Sequence, residues 1–125
     1  MTRNGKDFGE KGVITLNILP ARKKNYATFL VYVMEHFAKK GFPFDYLSPV
    51  NEPQWDWGGN SQEGTPATNE EIYILDKYLS NEFSKRGLPT QIVIGEAGTI
   101  GHASINMELM GKKASNKHIF ITMFI

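Results

Sequence analysis

The sequence predicts an α/β fold in which parallel strands alternate with helices. Two amphipathic helical segments, near residues 20–40 and 68–86, are each followed by a short, strongly apolar, β-prone segment. This order of helix, strand, helix and strand favours parallel pairing through right-handed crossovers. Both predicted strands end at a carboxylate, Glu52 and Glu96. The carboxyl ends of parallel strands are where such folds carry their functional residues.

Residues 1–19 are expected to form an irregular arm, because they contain glycine turn signals and lack a clear apolar period. The first helix is predicted from Pro20 to Lys40. Its apolar residues, which include Phe29 and Met34, recur every three or four positions, and a glycine follows its basic last turn.

A strand buried on both faces is predicted near residues 45–51, where a short apolar run is bounded by prolines. The loop over residues 54–67 is rich in Gly, Trp, acid and amide side chains, and a loop this long in a compact domain is usually functional. Thr68 and Glu71 have the spacing of a capping box, which predicts the start of the second helix. The next strand is expected near residues 91–96.

The pattern weakens after Gly101, and residues 102–125 are expected to be a truncated or frame-altered tail. Residues 119–125 form an uncharged, β-prone run that is prone to aggregation. No apolar run approaches the roughly 20 residues of a membrane span, and no signal peptide is recognisable. The location of the chain is therefore left open by its sequence.

Composition excludes several classes of function. The chain has 14 Lys and Arg against 13 Asp and Glu, a net charge of +1, so partners such as nucleic acid or an anionic membrane are not expected. It has no cysteine, which excludes disulfides, thiolate zinc sites and cysteine nucleophiles. The three histidines have no metal-ligand spacing, and no glycine-rich phosphate loop is present, so neither a metal nor a cofactor is predicted.

Glu52 is the strongest candidate for chemistry. It stands in Asn51-Glu52-Pro53, directly after a predicted buried strand and before a tryptophan-rich loop. Apolar surroundings disfavour the charged form of a carboxyl, so a Glu in this place is suited to donate a proton to a leaving oxygen. A strand-end carboxylate bound by its own loop is the structural alternative.

Further candidates lie in the loops around Glu52. If the loop is extended, Trp55 and Trp57 face opposite sides, and at least one is expected to contact the apolar face of a sugar. Gln62 has the chemistry to bind sugar hydroxyls or to brace the loop. Glu96 fits either a substrate contact or a salt bridge.

Three segments, taken in order, resemble glycoside hydrolase family 30. They are residues 48–55 (SPVNEPQW), 62–68 (QEGTPAT) and 94–99 (IGEAGT). The resemblance extends from about residue 17 to residue 101 and is strongest to the endo-β-1,6-galactanase-like branch. Asn-Glu-Pro alone is shared across a larger clan of barrels, whereas the three segments together are specific.

The resemblance implies a (β/α)8 TIM barrel with a small β-sandwich attached. It implies that Glu52 is the general acid/base at the end of the fourth strand, and that Asn51 binds the hydroxyl next to the anomeric carbon. The family's nucleophile is a Glu after the seventh strand. Glu96 matches the fifth strand, so no nucleophile is expected in this chain. A whole barrel typically takes about 250 residues, and this chain corresponds to about the fourth and fifth β/α units, in residues 20–101.

The expected function is therefore that of a retaining O-glycosyl hydrolase acting on a β-linked polysaccharide or oligosaccharide, present as an incomplete catalytic domain over residues 1–125. Such a piece would be inactive alone, and its open edges predict homo-oligomers or aggregates. Full-length relatives are expected to be secreted or periplasmic. Two alternatives stay open: a non-catalytic sugar-binding or vestigial protein, and another TIM-barrel enzyme that uses Glu52 and Glu96.

Overall fold

The structure, a computed structural model, describes residues 11–12, 22–58, 64–94, 96–99, 101 and 119–121. Within them the elements in chain order are α1 (Lys23–Lys39), β1 (Tyr46–Leu47), α2 (Asn69–Arg86), β2 (Gln91–Ile94) and β3 (Ile119–Ile121). The strands pair in the order β1-β2-β3, and both pairings are parallel. The predicted alternation of helices with parallel strands is confirmed. The predicted arm lies outside the described residues except for residues 11–12.

α2 has the ends that its sequence predicts. The Thr68 hydroxyl accepts a hydrogen bond from the backbone N–H of Glu71 at 3.2 Å, and the Glu71 carboxylate accepts one from the backbone N–H of Thr68 at 3.1 Å. Gly87 ends the helix in the left-handed conformation, with φ of 63°, which costs glycine nothing because it has no Cβ. These two local devices fix the helix over residues 69–86.

α1 begins at Lys23, and the predicted start at Pro20 lies outside the described residues. The helix buries Ala27, Val31 and Met34 and packs mainly against α2. Phe29 belongs to the apolar stripe that the sequence predicts, yet it is 58% exposed. The periodicity is correct, but among the described residues only one side of the stripe is covered.

β1 is shorter than the predicted strand at residues 45–51. Its two residues pair with the start of β2 in the register Tyr46↔Gln91, and the backbone N–H of Gln91 donates to the carbonyl of Asp45 at 2.8 Å. Beyond Leu47 the chain leaves the strand, because Pro49 has no N–H to donate to a ladder.

The core lies between the two helices and the sheet. Its fully buried centre consists of Val31 from α1, Ile72, Leu79 and Phe83 from α2, and Ile92 from β2. At the rim of this core, Arg86 of α2 donates to Glu35 of α1 at 2.9 Å. Neither described helix has an apolar stretch of the length and character needed to span a bilayer.

An aromatic face remains open beside α1 and β1. It consists of Phe29, Tyr32, Phe37, Phe44 and Tyr46, each between 40% and 58% exposed. Phe37 of α1 and Phe44 before β1 join its two parts, with ring centroids 5.1 Å apart. A depression of about 430 Å³ follows the helical part of this face. The exposed aromatic side chains of α1 and of the segment around β1 thus lie on the same flank.

Candidate active site

The candidate site lies where β1 and β2 end. Residues 48–58 follow β1 and residues 96–99 follow β2. The first loop is tied to α1 by the Tyr26 hydroxyl, which donates to the carbonyl of Pro49 at 2.7 Å. Burial raises the pKa of Tyr26, so its hydroxyl stays protonated and available as a donor. This bond fixes the backbone three residues before Glu52.

Glu52 has an unusual backbone conformation that two tryptophans stabilise. Its φ is 39°, and it is the one non-glycine residue with positive φ in the described part of the chain. Its carbonyl accepts hydrogen bonds from the backbone N–H of Trp55 at 2.9 Å and from the indole N–H of Trp57 at 3.0 Å. A left-handed non-glycine residue is costly and persists only where its surroundings enforce it. These two donors supply that constraint.

The two tryptophans lie in opposite environments. Trp57 is 3% exposed and Trp55 is 53% exposed. The ring of Trp57 packs so closely on Gly64 that a Cβ there would overlap the indole. Trp57 therefore joins the two ends of the loop, while Trp55 presents its indole to solvent beside Glu52.

The carboxylate of Glu52 packs against the backbone of Gly98 in the neighbouring loop. A Cβ built on Gly98 would overlap the Oε1 atom of Glu52 and lie 2.8 Å from its Cδ. A second contact joins the same two loops, since the Ser48 hydroxyl donates to the carboxylate of Glu96. Glu52 and Glu96 thus stand on adjacent loops at one edge of the sheet. Asn51, just before Glu52, is exposed.

The long loop after Glu52 is closed at its base by a backbone hydrogen bond. The N–H of Ala67 donates to the carbonyl of Pro53 at 2.9 Å, and both residues are buried. Gln62 lies outside the described residues. Gln54, which the sequence reasoning did not single out, is half-buried, and among the described residues its amide nitrogen and oxygen have no hydrogen-bond partner.

Within the described ranges, no group of three His, Asp or Glu side chains is placed to hold a metal ion. The sequence reasoning also missed Ser48 and Gly98, although both contact the candidate carboxylates. Gly98 lies in the IGEAGT segment, but its contact could not be predicted, because it depends on a loop 46 positions earlier in the chain. Ser48 lies in the SPVNEP segment but carries no chemistry that composition would single out.

The family model of O-glycosyl hydrolase family 30 matches residues 1–124. Among solved structures, a conserved exported protein from Bacteroides fragilis is 34% identical, with a TM-score of 0.73 over 79% of this chain. The catalytic domain of GH30 xylanase C from Talaromyces cellulolyticus is 17% identical, with a TM-score of 0.71 over 99% of this chain. The subfamily 8 xylanase Xyn30A from Clostridium acetobutylicum is 18% identical, with a TM-score of 0.65 over 85%.

This chain spans only 20%, 30% and 26% of those three solved chains, respectively. No curated protein matches it. The structural matches confirm the predicted fold class, a fragment-sized α/β arrangement with parallel strands like that of GH30 TIM-barrel domains.

Proposed function

This chain belongs to O-glycosyl hydrolase family 30, and on that premise we propose that it is the part of a retaining glycosidase that carries the general acid/base. The observation that carries the proposal is Glu52. It stands after a parallel strand, and its backbone is fixed by hydrogen bonds from Trp55 and Trp57. A catalytic acid must hold its geometry to be effective.

In the proposed reaction Glu52 first protonates the glycosidic oxygen, while a second carboxylate attacks the anomeric carbon. Glu52 then acts as a base on the water that releases the sugar. Asn51, which is exposed beside it, would hold the hydroxyl next to the anomeric carbon. No cofactor or metal is needed for this chemistry.

The remaining candidates receive different roles. Trp55 is exposed and would stack on a sugar face. Trp57 is buried, so it would act on the sugar indirectly, by holding the Glu52 backbone. Glu96, whose carboxylate accepts a hydrogen bond from Ser48, would also bind a sugar hydroxyl. Gln62 remains a proposed sugar contact on the same loop.

We propose that residues 1–125 form an incomplete catalytic domain whose βα units lie in residues 20–101. Two observations support this. The chain spans 20–30% of the three solved chains described above. The exposed aromatic face is of the kind that further barrel elements would cover. Left uncovered, such a face and strand edge promote homo-oligomers or aggregates.

The substrate class that we assign is a β-linked polysaccharide or oligosaccharide, and the endo-β-1,6-galactanase-like branch is the finer assignment. It rests on the three sequence segments at residues 48–55, 62–68 and 94–99. Two structural neighbours are named as xylanases, so xylan is the competing substrate. Because one neighbour is described as exported, we also propose that the protein acts outside the cytoplasm.

The test uses a completed barrel, in which residues 22–101 replace the matching segment of the Bacteroides fragilis protein. Its hydrolysis of β-1,6-galactan, xylan and a panel of aryl β-glycosides is measured. Glu52→Gln is expected to lower turnover of the polysaccharide by about 10²–10⁴-fold, and less for aryl glycosides with good leaving groups. Glu70→Gln, on the exposed side of α2, is the control.

Each alternative has its own outcome. Normal activity of the Glu52→Gln barrel on polysaccharide would refute the acid/base role. Binding of oligosaccharide without any turnover would favour a sugar-binding protein. The 125-residue chain alone is expected to show no turnover, and activity that Glu96→Gln abolishes in that chain would instead favour Glu52 and Glu96 as an acid/base pair.

A further inference from the structure

We infer that Gly98 is a positioning residue, whose missing side chain creates the space that the carboxylate of Glu52 occupies. The inference rests on the proposed role of Glu52. It concerns the loop after β2, in which Gly98 lies two residues beyond the proposed substrate contact Glu96. The geometry behind it is the overlap of a Cβ at Gly98 with the Oε1 atom of Glu52.

Position 98 requires glycine because a side chain there would overlap Glu52, and not because the backbone adopts a conformation that only glycine tolerates. The positive φ values among the described glycines belong to Gly12, Gly41 and Gly87, so alanine could adopt the backbone conformation of Gly98 without strain. The penalty for a side chain here is therefore its contact with Glu52. The methyl carbon would lie 2.8 Å from Cδ and 3.6 Å from Cγ of Glu52.

The backbone at Gly98 is held in place by its neighbours in the same loop. Ala97 is 3% exposed, and Glu96 accepts a hydrogen bond from Ser48. The backbone of Glu52 is equally fixed, because its carbonyl accepts two hydrogen bonds. With both backbones held, the movable part is the end of the Glu52 side chain.

A methyl group at position 98 should therefore rotate the Glu52 carboxylate away and leave the fold intact. Rotation about side-chain bonds is cheap compared with shifting a packed backbone. A displacement of about 1 Å at a reacting group can cost about 10²-fold in rate. The substitution should thus lower turnover through a residue that touches no substrate.

The experiment compares four forms of the completed barrel: the parent, Gly98→Ala, Glu52→Gln and the double variant. Gly98→Ala is expected to lower kcat on polysaccharide by about 10–100-fold with little change in KM, and to spare aryl glycosides with good leaving groups. In the Glu52→Gln background it should cause no further loss, since the two residues act as one unit. Gly101→Ala is the control, because no described atom lies within 4 Å of its added Cβ.

Crystal structures of the parent and the Gly98→Ala barrel supply a readout that does not depend on activity. The inference requires the Glu52 carboxylate to move while the backbone of residues 51–53 stays in place. An unmoved carboxylate would overturn it. If Gly98→Ala is fully active while Glu52→Gln is impaired, the positioning role of Gly98 is overturned and the acid/base role of Glu52 is retained. If Glu52→Gln is fully active, the proposed acid/base role of Glu52 is refuted. The crystal structures of the parent and of Gly98→Ala then still show whether Gly98 determines the position of the Glu52 carboxylate.

Discussion

Replacing Asp76 measures how much a buried carboxyl lowers the free energy of unfolding of this chain. Its side chain on α2 is 1% exposed, and among the described residues its Oδ1 atom has no hydrogen-bond partner. Burial raises the pKa of Asp76 from 3.8 to about 7, because the charged form loses hydration without gaining a partner. Asp76→Asn removes the charge and keeps the size of the side chain.

The effect on stability depends on pH in a defined direction. Between pH 3.8 and about 7 the folded chain holds a proton on Asp76 that the unfolded chain has released. The free energy of unfolding therefore falls as pH rises through this window. A rise in the pKa from 3.8 to about 7 corresponds to roughly 4 kcal/mol of stability. Asp76→Asn should equal the parent near pH 4 and exceed it by up to that amount at pH 8.

Urea unfolding between pH 4 and pH 8.5, monitored by tryptophan fluorescence at low protein concentration, measures this difference. Hydrogen bonds from neighbouring lysines lower the pKa of Glu35 and of Glu82, which gives an opposite trend at acid pH. That trend is present in both proteins and cancels in the comparison. Asp45→Asn, at an exposed position, is the control. Parallel stability curves for the parent and Asp76→Asn would refute the reasoning.

Three further outcomes test the scaffold around the site. Thr68→Ala should lower the free energy of unfolding by about 1 kcal/mol through loss of the N-cap, whereas Thr68→Ser should retain it in urea unfolding. Tyr26→Phe removes the donor to the Pro49 carbonyl and should cost about 1 kcal/mol; an unchanged urea midpoint would contradict this. Replacing Phe29 and Tyr32 by lysine should shift the isolated chain toward monomer in sedimentation, and unchanged association would show that the aromatic face is not the contact.

The parts of the fold that the sequence predicted well are those set by local interactions. The capping box at Thr68 and the left-handed Gly87 depend on residues within one helical turn, so they could be recognised before any tertiary contact was known. The length of β1 was overestimated, because the apolar run continues through Val50 while Pro49 interrupts the hydrogen bonding. Apolar character does not distinguish a strand from a packed turn.

The site was only partly predictable for a similar reason. The positions of Glu52 and Glu96 after two strands follow from chain order. Opposite environments for Trp55 and Trp57 were expected from their spacing in an extended loop, although Trp55 lies in a turn closed by the Glu52 carbonyl. The use of the Trp57 indole N–H to hold the Glu52 carbonyl does not follow from either. Nor does the contact with Gly98, since both depend on how two separate loops meet.

The positions of the two strand-end carboxylates argue against their being the catalytic pair. Glu52 and Glu96 follow β1 and β2, which are hydrogen-bonded neighbours, and adjacent strands lie about 4.8 Å apart. Retention requires two carboxyls about 5 Å apart that flank the glycosidic bond. The family resemblance instead implies a nucleophile after the seventh strand, and the Glu96 carboxylate already accepts a hydrogen bond from the Ser48 hydroxyl. We therefore expect Glu96→Gln in the completed barrel to raise KM and leave substantial turnover. A glycosyl-enzyme intermediate trapped on Glu96, detected by mass spectrometry of the digested protein, would refute this.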